Sequence, residues 1–142
     1  MIIPLDLPDL SLEAFFTGPL LDERAPTLIY FAISAKDSLQ TPPFSNFISA
    51  LPKERLRILS FTLPYHADIG TIPQEQATSP EKALALWAEQ FKAGSDILAP
   101  FLETVNEALN NLIQMGAICE NKLFATGLSR GAFLACLLAA KN

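Results

Sequence analysis

The sequence predicts an α/β fold with a mostly parallel central sheet, and three observations point to it. Residues 27–33 and 56–63 are apolar runs bounded by polar residues or proline, as is typical of buried strands. Residues 44–51 between them carry apolar side chains at helical spacing. Half of the 142 residues are hydrophobic, which is enough for a substantial core. The pattern indicates a βαβ unit within one domain spanning residues 1–142.

The N-terminal part of the chain is the hardest to interpret. Residues 1–26 are interrupted by prolines and show no sustained period, so we expect only one or two short edge strands there. Residues 27–33 are rich in branched and aromatic side chains and predict a central strand that is buried on both faces. This strand leads into the polar residues Ser34, Lys36 and Asp37, which we interpret as a loop.

Two further elements follow this loop. A short helix over residues 44–51 is predicted to end near Pro52, and a strand over residues 56–63 is predicted to end at Pro64. Residues 65–78 form a polar loop that contains proline.

The middle of the chain predicts two helices in succession. Ser79-Pro80-Glu81 supplies an N-cap, a first-turn proline and an acidic residue, so a helix begins there and ends near Gly94. The second helix opens at Ser95 or Asp96 and runs to about Met115, with an apolar face along its length. Pro100 either bends this helix or delays its start.

The last elements surround the most informative motif. Residues 122–126 predict a short strand, and residues 132–141 predict a helix. Gly127-Leu128-Ser129-Arg130-Gly131 joins them and has the form G-x-S-x-G. On a tight turn between strand and helix, this motif projects a serine hydroxyl, the flanking glycines make room, and the helix N-terminus favours negative charge. The sequence therefore suggests Ser129 as a nucleophile, with the backbone N–H of Arg130 as an oxyanion donor. The alternative is a glycine-flanked serine that only caps the last helix.

A family resemblance arises at these residues. N-K-L-F-A-T-G-L-S-R-G-A-F-L-A resembles the strand, elbow and helix of the α/β-hydrolase superfamily, in particular the esterase and prolyl-oligopeptidase-like branch in which arginine follows the serine. L-S-F-T-L-P-Y-H, at residues 59–66, resembles the strand and P-x-H turn of that family. The likeness covers residues 27–141, and only the elbow is specific. It implies a three-layer sandwich around a mostly parallel sheet, truncated after the elbow helix, so that the chain is the N-terminal part of such a domain.

The resemblance also implies site roles. Ser129 corresponds to the nucleophile, and the second oxyanion N–H comes from the loop after the strand at residues 27–33. Many members carry an H-G pair in this loop, whereas this chain has residues 34–38, of which Ala35 and Lys36 are the candidate donors. A plain polar connection is the alternative.

The family order of a catalytic triad cannot be completed within this sequence. The one histidine, His66, precedes Ser129 and lies on the P-x-H turn, where the family keeps a positioning histidine. No Asp, Glu or His follows Ser129, although the acid and then the base follow the serine in this fold. An unorthodox arrangement of Asp37, Asp68 and His66 is less favoured than a turn histidine with a structural hydrogen bond.

Two functions therefore remain open. The first is a serine hydrolase that acts on a small ester or peptide-like substrate, with its catalytic acid and base missing from this chain. The second is an inactive remnant or a non-enzymatic interaction domain. A sheet cut after the elbow helix would expose an edge with apolar surface, and a partner chain or a second copy would cover it. We expect that surface to come from Phe133, Leu134, Leu137 and Leu138.

Composition argues against several other classes of protein. The net charge of −5 argues against nucleic acid or an anionic membrane as a partner. The longest apolar run, residues 132–140, is far shorter than the ~20 residues of a transmembrane helix, and no signal peptide is recognisable. We expect Cys119 and Cys136 to be buried free thiols, which together with these features suggests a cytoplasmic location.

No cofactor or metal is expected either. Glu103, Glu107 and Glu120 are interpreted as a solvated acidic surface, because no His or Cys stands at metal-ligand spacing. Trp87, Phe91 and Phe101 are interpreted as core residues in preference to a substrate pocket, because they recur at helical spacing.

Overall fold

The computed structural model describes residues 1–66 and 79–141. In these ranges one mixed sheet has the strand order β1-β2-β4-β3-β5 and is accompanied by helices. The strands are β1 (Ile3–Pro4), β2 (Ala14–Thr17), β3 (Ala25–Phe31), β4 (Arg57–Phe61) and β5 (Ile118–Gly127). The helices are α1 (Ala35–Gln40), α2 (Asn46–Ser49), α3 (Pro80–Lys92), α4 (Leu98–Gln114) and α5 (Arg130–Lys141).

The centre of the sheet is parallel, as the sequence predicts. β3 pairs in parallel with β4 on one side and with β5 on the other, whereas β1 and β2 are antiparallel additions at one edge. The two predicted central strands are confirmed with slightly different bounds. The α/β class is thus confirmed, and the carboxyl ends of β3, β4 and β5 lie along one edge of the sheet.

Helices cover both faces of this sheet, because alternate residues of its central strands point to opposite sides. Ile29 and Phe31 of β3 belong to the larger core, together with buried residues from each of α3, α4 and α5. Tyr30 of β3 belongs to a smaller core with Leu39 of α1 and Ile48 of α2. The helices that follow β3 and β5 therefore pack on opposite faces of the sheet.

The predicted loop after β3 is wrong for most of its length, because residues 35–40 form α1. Ser34 is the N-cap, and its hydroxyl accepts a hydrogen bond from the backbone N–H of Asp37 at 3.2 Å. The Asp37 carboxylate accepts in turn from the Ser34 hydroxyl at 2.9 Å and from the Thr41 hydroxyl at 2.6 Å. This reciprocal capping stabilises a helix that is too short to show apolar periodicity.

The two central helices agree well with their predicted ends. Ser79 caps α3 by accepting from the backbone N–H of Lys82, and Gly94 follows the helix with a φ of +78°. Asp96 accepts from the amides of Leu98 and Ala99, which open α4. Pro100 is the third residue of α4, so it delays the start of the helix and does not bend its interior.

β5 is longer than predicted and, in the described part of the chain, forms the edge of the sheet opposite β1. The exposed apolar side chains near this edge are Phe124, Leu128 and Phe133. The expectation that Leu134 and Leu138 would be exposed is wrong, because α5 turns both residues into the larger core. The exposed apolar side chains at this edge therefore come from β5, from the turn after it and from the start of α5.

A buried arginine holds the opposite end of the parallel strands together. The Arg57 side chain is completely buried and donates to the carbonyl oxygens of Pro19 at 2.9 Å, Ala117 at 2.6 Å and Glu23 at 2.8 Å, and also to that of Leu20. Burial lowers the pKa of Arg57, and the charge of Glu23 counteracts that effect. Arg57 thereby fixes the loop before β3 and the start of β5 against β4.

Candidate active site at the carboxyl edge of the sheet

The candidate site lies where β3 and β5 end side by side. Phe31, the last residue of β3, is in register with Gly127, the last residue of β5. α1 begins shortly after β3, and α5 begins shortly after β5. These two helices lie on opposite faces of the sheet. Adjacent parallel strands whose connections diverge in this way leave a crevice at their carboxyl ends, which is where open α/β sheets bind ligands.

Ser129 lies at the carboxyl ends of β3 and β5, in a strained backbone conformation. Its φ is +53°, which is uncommon for a residue other than glycine, and the side chain is exposed. The N–H of Gly131 donates to the carbonyl of Leu128 at 2.8 Å, and the N–H of Ala132 donates to that of Ser129 at 3.0 Å. The N–H of Leu128 donates to the carbonyl of Phe31 at 2.9 Å, so the turn is fixed to the end of β3.

The two motif glycines are required by close backbone packing. A Cβ at Gly127 would lie 2.3 Å from the carbonyl carbon of Gly131. A Cβ at Gly131 would lie 2.0 Å from the carbonyl oxygen of Phe31. These atoms belong to the backbone and cannot rotate away, so each glycine permits the crossing of strand and helix that the sequence predicts.

The three backbone amides predicted as oxyanion donors differ in whether they already donate a hydrogen bond. The N–H of Ala35 donates to the Thr62 hydroxyl at 2.9 Å. Within residues 1–66 and 79–141, the amides of Lys36 and Arg130 donate to no protein acceptor. Each lies at the first turn of its helix, where such N–H groups are left over. Among these three amides, only that of Ala35 is therefore already engaged within the described residues.

His66 lies on a tight turn after β4. Tyr65 has a φ of +64°, and the His66 N–H donates to the Leu63 carbonyl at 3.1 Å. The imidazole is buried, and its Nε2 has no hydrogen-bond partner in the described residues. Burial, and secondly the charge of Arg130, lower the pKa of His66 to about 4. The ring is thus neutral at neutral pH but is only a weak base.

Asp37 and His66 are the two members of the unorthodox acid–base arrangement that the structure describes. Asp37 belongs to the cap of α1, where it bonds to Ser34 and Thr41. Asp68 and most of the loop predicted over residues 65–78 lie outside the described residues. Between residues that the structure describes, no hydrogen bond joins His66 to Asp37 or to Ser129.

The Arg130 side chain makes contacts that the sequence pattern does not predict. Its guanidinium lies 4.9 Å from the centre of the Trp87 ring, and Nη2 donates to the Pro80 carbonyl at 3.1 Å. The Trp87 indole N–H in turn donates to the Pro64 carbonyl at 2.7 Å. Arginine usually lies at the surface, so its sequence position gave no signal of this inward orientation. These contacts join α5 to α3 and to the turn that carries His66.

The aromatic residues considered as pocket candidates lie mainly in the core. Trp87 and Phe101 are buried, whereas Phe91 is half-exposed and contacts Trp87 edge to face. Both cysteines are free, but the prediction that they are buried is wrong, since Cys136 is exposed and Cys119 is intermediate. In the described ranges there is no cluster of three metal-ligand side chains, and no helix is long and apolar enough to cross a membrane.

Comparison with known proteins assigns no family to this arrangement. No protein-family model matches the chain, and a search of curated proteins finds no significant match.

Proposed function

We propose that this chain is part of a serine hydrolase of the α/β-hydrolase type, in which Ser129 attacks the carbonyl of a small ester or peptide-like substrate. The observation that carries the proposal is the strained conformation of Ser129 on a turn from strand to helix. Backbone strain at a non-glycine residue persists only where the surrounding structure imposes it, and it is concentrated at functional sites. A serine that merely caps α5 would not need a positive φ, because N-cap residues have β-region dihedrals.

The oxyanion of the tetrahedral intermediate would be held by two backbone amides. The Arg130 N–H is the first donor, and it opens α5, whose dipole also favours negative charge. We assign the second to Lys36 in preference to Ala35, because the Ala35 amide already bonds to Thr62. Preorganised donors of this kind contribute most where the developing charge is excluded from water.

The proposal assigns no general base to this chain. With a pKa of about 4, His66 is poorly matched to removing a proton from serine at neutral pH. A His and an acid supplied from beyond these residues would complete the site. We also propose a cytoplasmic location, which the two free thiols support.

A fluorophosphonate probe tests the proposal directly. We expect slow labelling of the folded wild-type chain that is lost in Ser129→Ala and retained in Ser95→Ala, since Ser95 is exposed outside the strained turn. Equal labelling of wild type and Ser129→Ala in folded samples would contradict catalytic competence of this chain.

A second experiment does not require a base. In a chain whose Cys119 and Cys136 are replaced by serine, Ser129→Cys places a thiol beside the N-terminus of α5, where its pKa is expected to fall. Iodoacetamide should alkylate this thiol about tenfold faster at pH 7 than the thiol of the matched Ser95→Cys chain. Equal rates would contradict an anion-stabilising site at residue 129.

The alternative function is a non-enzymatic interaction domain that uses the open edge of β5. The exposure of Phe124, Leu128 and Phe133 beside an unpaired strand edge favours it. This edge would pair with a strand of a partner chain or of a second copy. Light scattering after size-exclusion chromatography tests self-association, and Phe124→Lys should weaken it. A chain that stays monomeric and unfolds cooperatively at high concentration would count against self-association as this function.

A further inference from the structure

The Arg130 side chain points towards α3, although Arg130 is the first residue of α5 and follows an exposed turn. Its guanidinium stacks on Trp87 and donates to the carbonyl of Pro80, the first residue of α3. Burial lowers the pKa of Arg130, and within the described residues its Nη1 is buried without a hydrogen-bond partner. Desolvating a cation in this way is unfavourable, and the stacking on Trp87 and the hydrogen bond to Pro80 offset part of that cost.

The turn at Ser129 needs support that its own strand does not provide. On one side, the Leu128 amide bonds to the end of β3. On the other side, β5 has no neighbouring strand among the residues that the structure describes. The Arg130 side chain supplies a second attachment, to α3, and Trp87 extends it to Pro64 beside His66. Since Arg130 directly follows Ser129, fixing its side chain restricts the backbone of the strained turn.

We propose that the Arg130 side chain is a positioning residue for Ser129, which it holds in its strained conformation by anchoring the start of α5 to Trp87 and Pro80. This role rests on the function proposed above and is separate from the role of the Arg130 backbone N–H. A substitution of the side chain leaves that amide in place, so the two roles can be tested independently.

Alkylation of the Ser129→Cys chain measures the positioning role. Arg130→Met removes the charge and the hydrogen bond, whereas Arg130→Lys keeps the charge but lacks the planar group that stacks and donates. Positioning predicts that both variants slow alkylation, by about fivefold or more, towards the rate of the Ser95→Cys chain. Far-UV circular dichroism and a thermal melt establish that each variant is folded.

The outcomes separate this inference from the proposed function. If Ser129→Cys is activated with Arg130 present and both variants slow it, the positioning role is supported. If Arg130→Lys keeps the full rate, the guanidinium acts only through its charge and the inference is overturned, while the proposed function stands. If Ser129→Cys reacts no faster than Ser95→Cys even with Arg130 present, the proposed function itself fails and the positioning role fails with it.

The position of the Arg130 side chain can also be measured spectroscopically, without the alkylation assay. His66 is the one histidine and Trp87 the one tryptophan, so their NMR and fluorescence signals need no assignment. The charge of Arg130 lowers the pKa of His66, so Arg130→Met should raise it. The same variant should shift the emission of Trp87, which loses its stacked cation. If both signals are unchanged, Arg130 does not occupy this position in solution, and the inference is overturned.

Discussion

Gly131→Ala tests whether the close crossing of β3 and α5 holds the elbow turn in place. The new Cβ would lie 2.0 Å from the Phe31 carbonyl oxygen and 2.5 Å from its carbonyl carbon. Since ordinary contacts begin near 3.4 Å, α5 would have to move away by about 1.4 Å. Overpacking of this kind costs about 1–3 kcal/mol, and weakening the bond from Leu128 to Phe31 adds about 1 kcal/mol. We expect a loss of about 2–4 kcal/mol in the free energy of unfolding.

Urea denaturation followed by circular dichroism measures this loss, and Gly94→Ala is the matched control. A Cβ at Gly94 meets no atom within 4 Å, but its φ is +78°. The control should therefore lose about 1–2 kcal/mol through backbone strain alone. It should also leave alkylation of the Ser129→Cys chain unchanged, whereas Gly131→Ala should reduce it. A Gly131→Ala protein that unfolds within about 0.5 kcal/mol of wild type would refute the argument from close packing.

Three further predictions concern the stability of the described fold. Ser129→Gly should be more stable than Ser129→Ala by about 0.5–1 kcal/mol in urea denaturation, because glycine adopts a positive φ without a steric penalty; equal stabilities would argue that the turn is unstrained in solution. Arg57→Met should lose about 3–5 kcal/mol, since it leaves several buried carbonyl groups without their donor; a loss below about 1 kcal/mol would show that water replaces the guanidinium. The pKa of His66 is 6.5 in the unfolded chain and about 4 in the folded protein. Between these two pH values the unfolded state therefore binds a proton that the folded state does not. Stability should therefore fall by about 3 kcal/mol between pH 7 and pH 4, and His66→Gln should remove this part of the pH dependence.

The elements predicted correctly from sequence are those with strong local signals. Ser79-Pro80-Glu81 fixes the start of α3 through its own cap, and the apolar run at residues 27–33 is long enough to define β3. The sequence alone does not decide whether Pro100 bends or delays α4, because the answer depends on Asp96 capping the following amides. The apolar pattern does not predict α1, although Ser34 and Asp37 have capping-box spacing, because a single short helix shows little periodicity.

In the candidate site, too, the sequence predicts the features that depend on neighbouring residues and does not predict those that depend on distant ones. The strand, the turn and the helix around Ser129 follow from the motif, because its glycines and serine are local requirements. The engagement of the Ala35 amide by Thr62 depends on two strands meeting at one edge. The inward position of the Arg130 side chain depends likewise on where α3 packs. Sequence spacing carries no information about such contacts between distant segments.

The buried Arg57 side chain also has a consequence for how the chain acquires its structure. One of its carbonyl partners, Ala117, is 60 residues further along the chain, and another, Pro19, is 38 residues before it. During synthesis β4 emerges long before Ala117. The guanidinium of Arg57 must therefore remain hydrated until the start of β5 is available. Closing so large a loop is entropically costly, and folds dominated by such distant pairings form slowly. The central strands of this sheet should therefore assemble together late, and nascent chains that end before residue 117 should remain vulnerable to proteases and to aggregation.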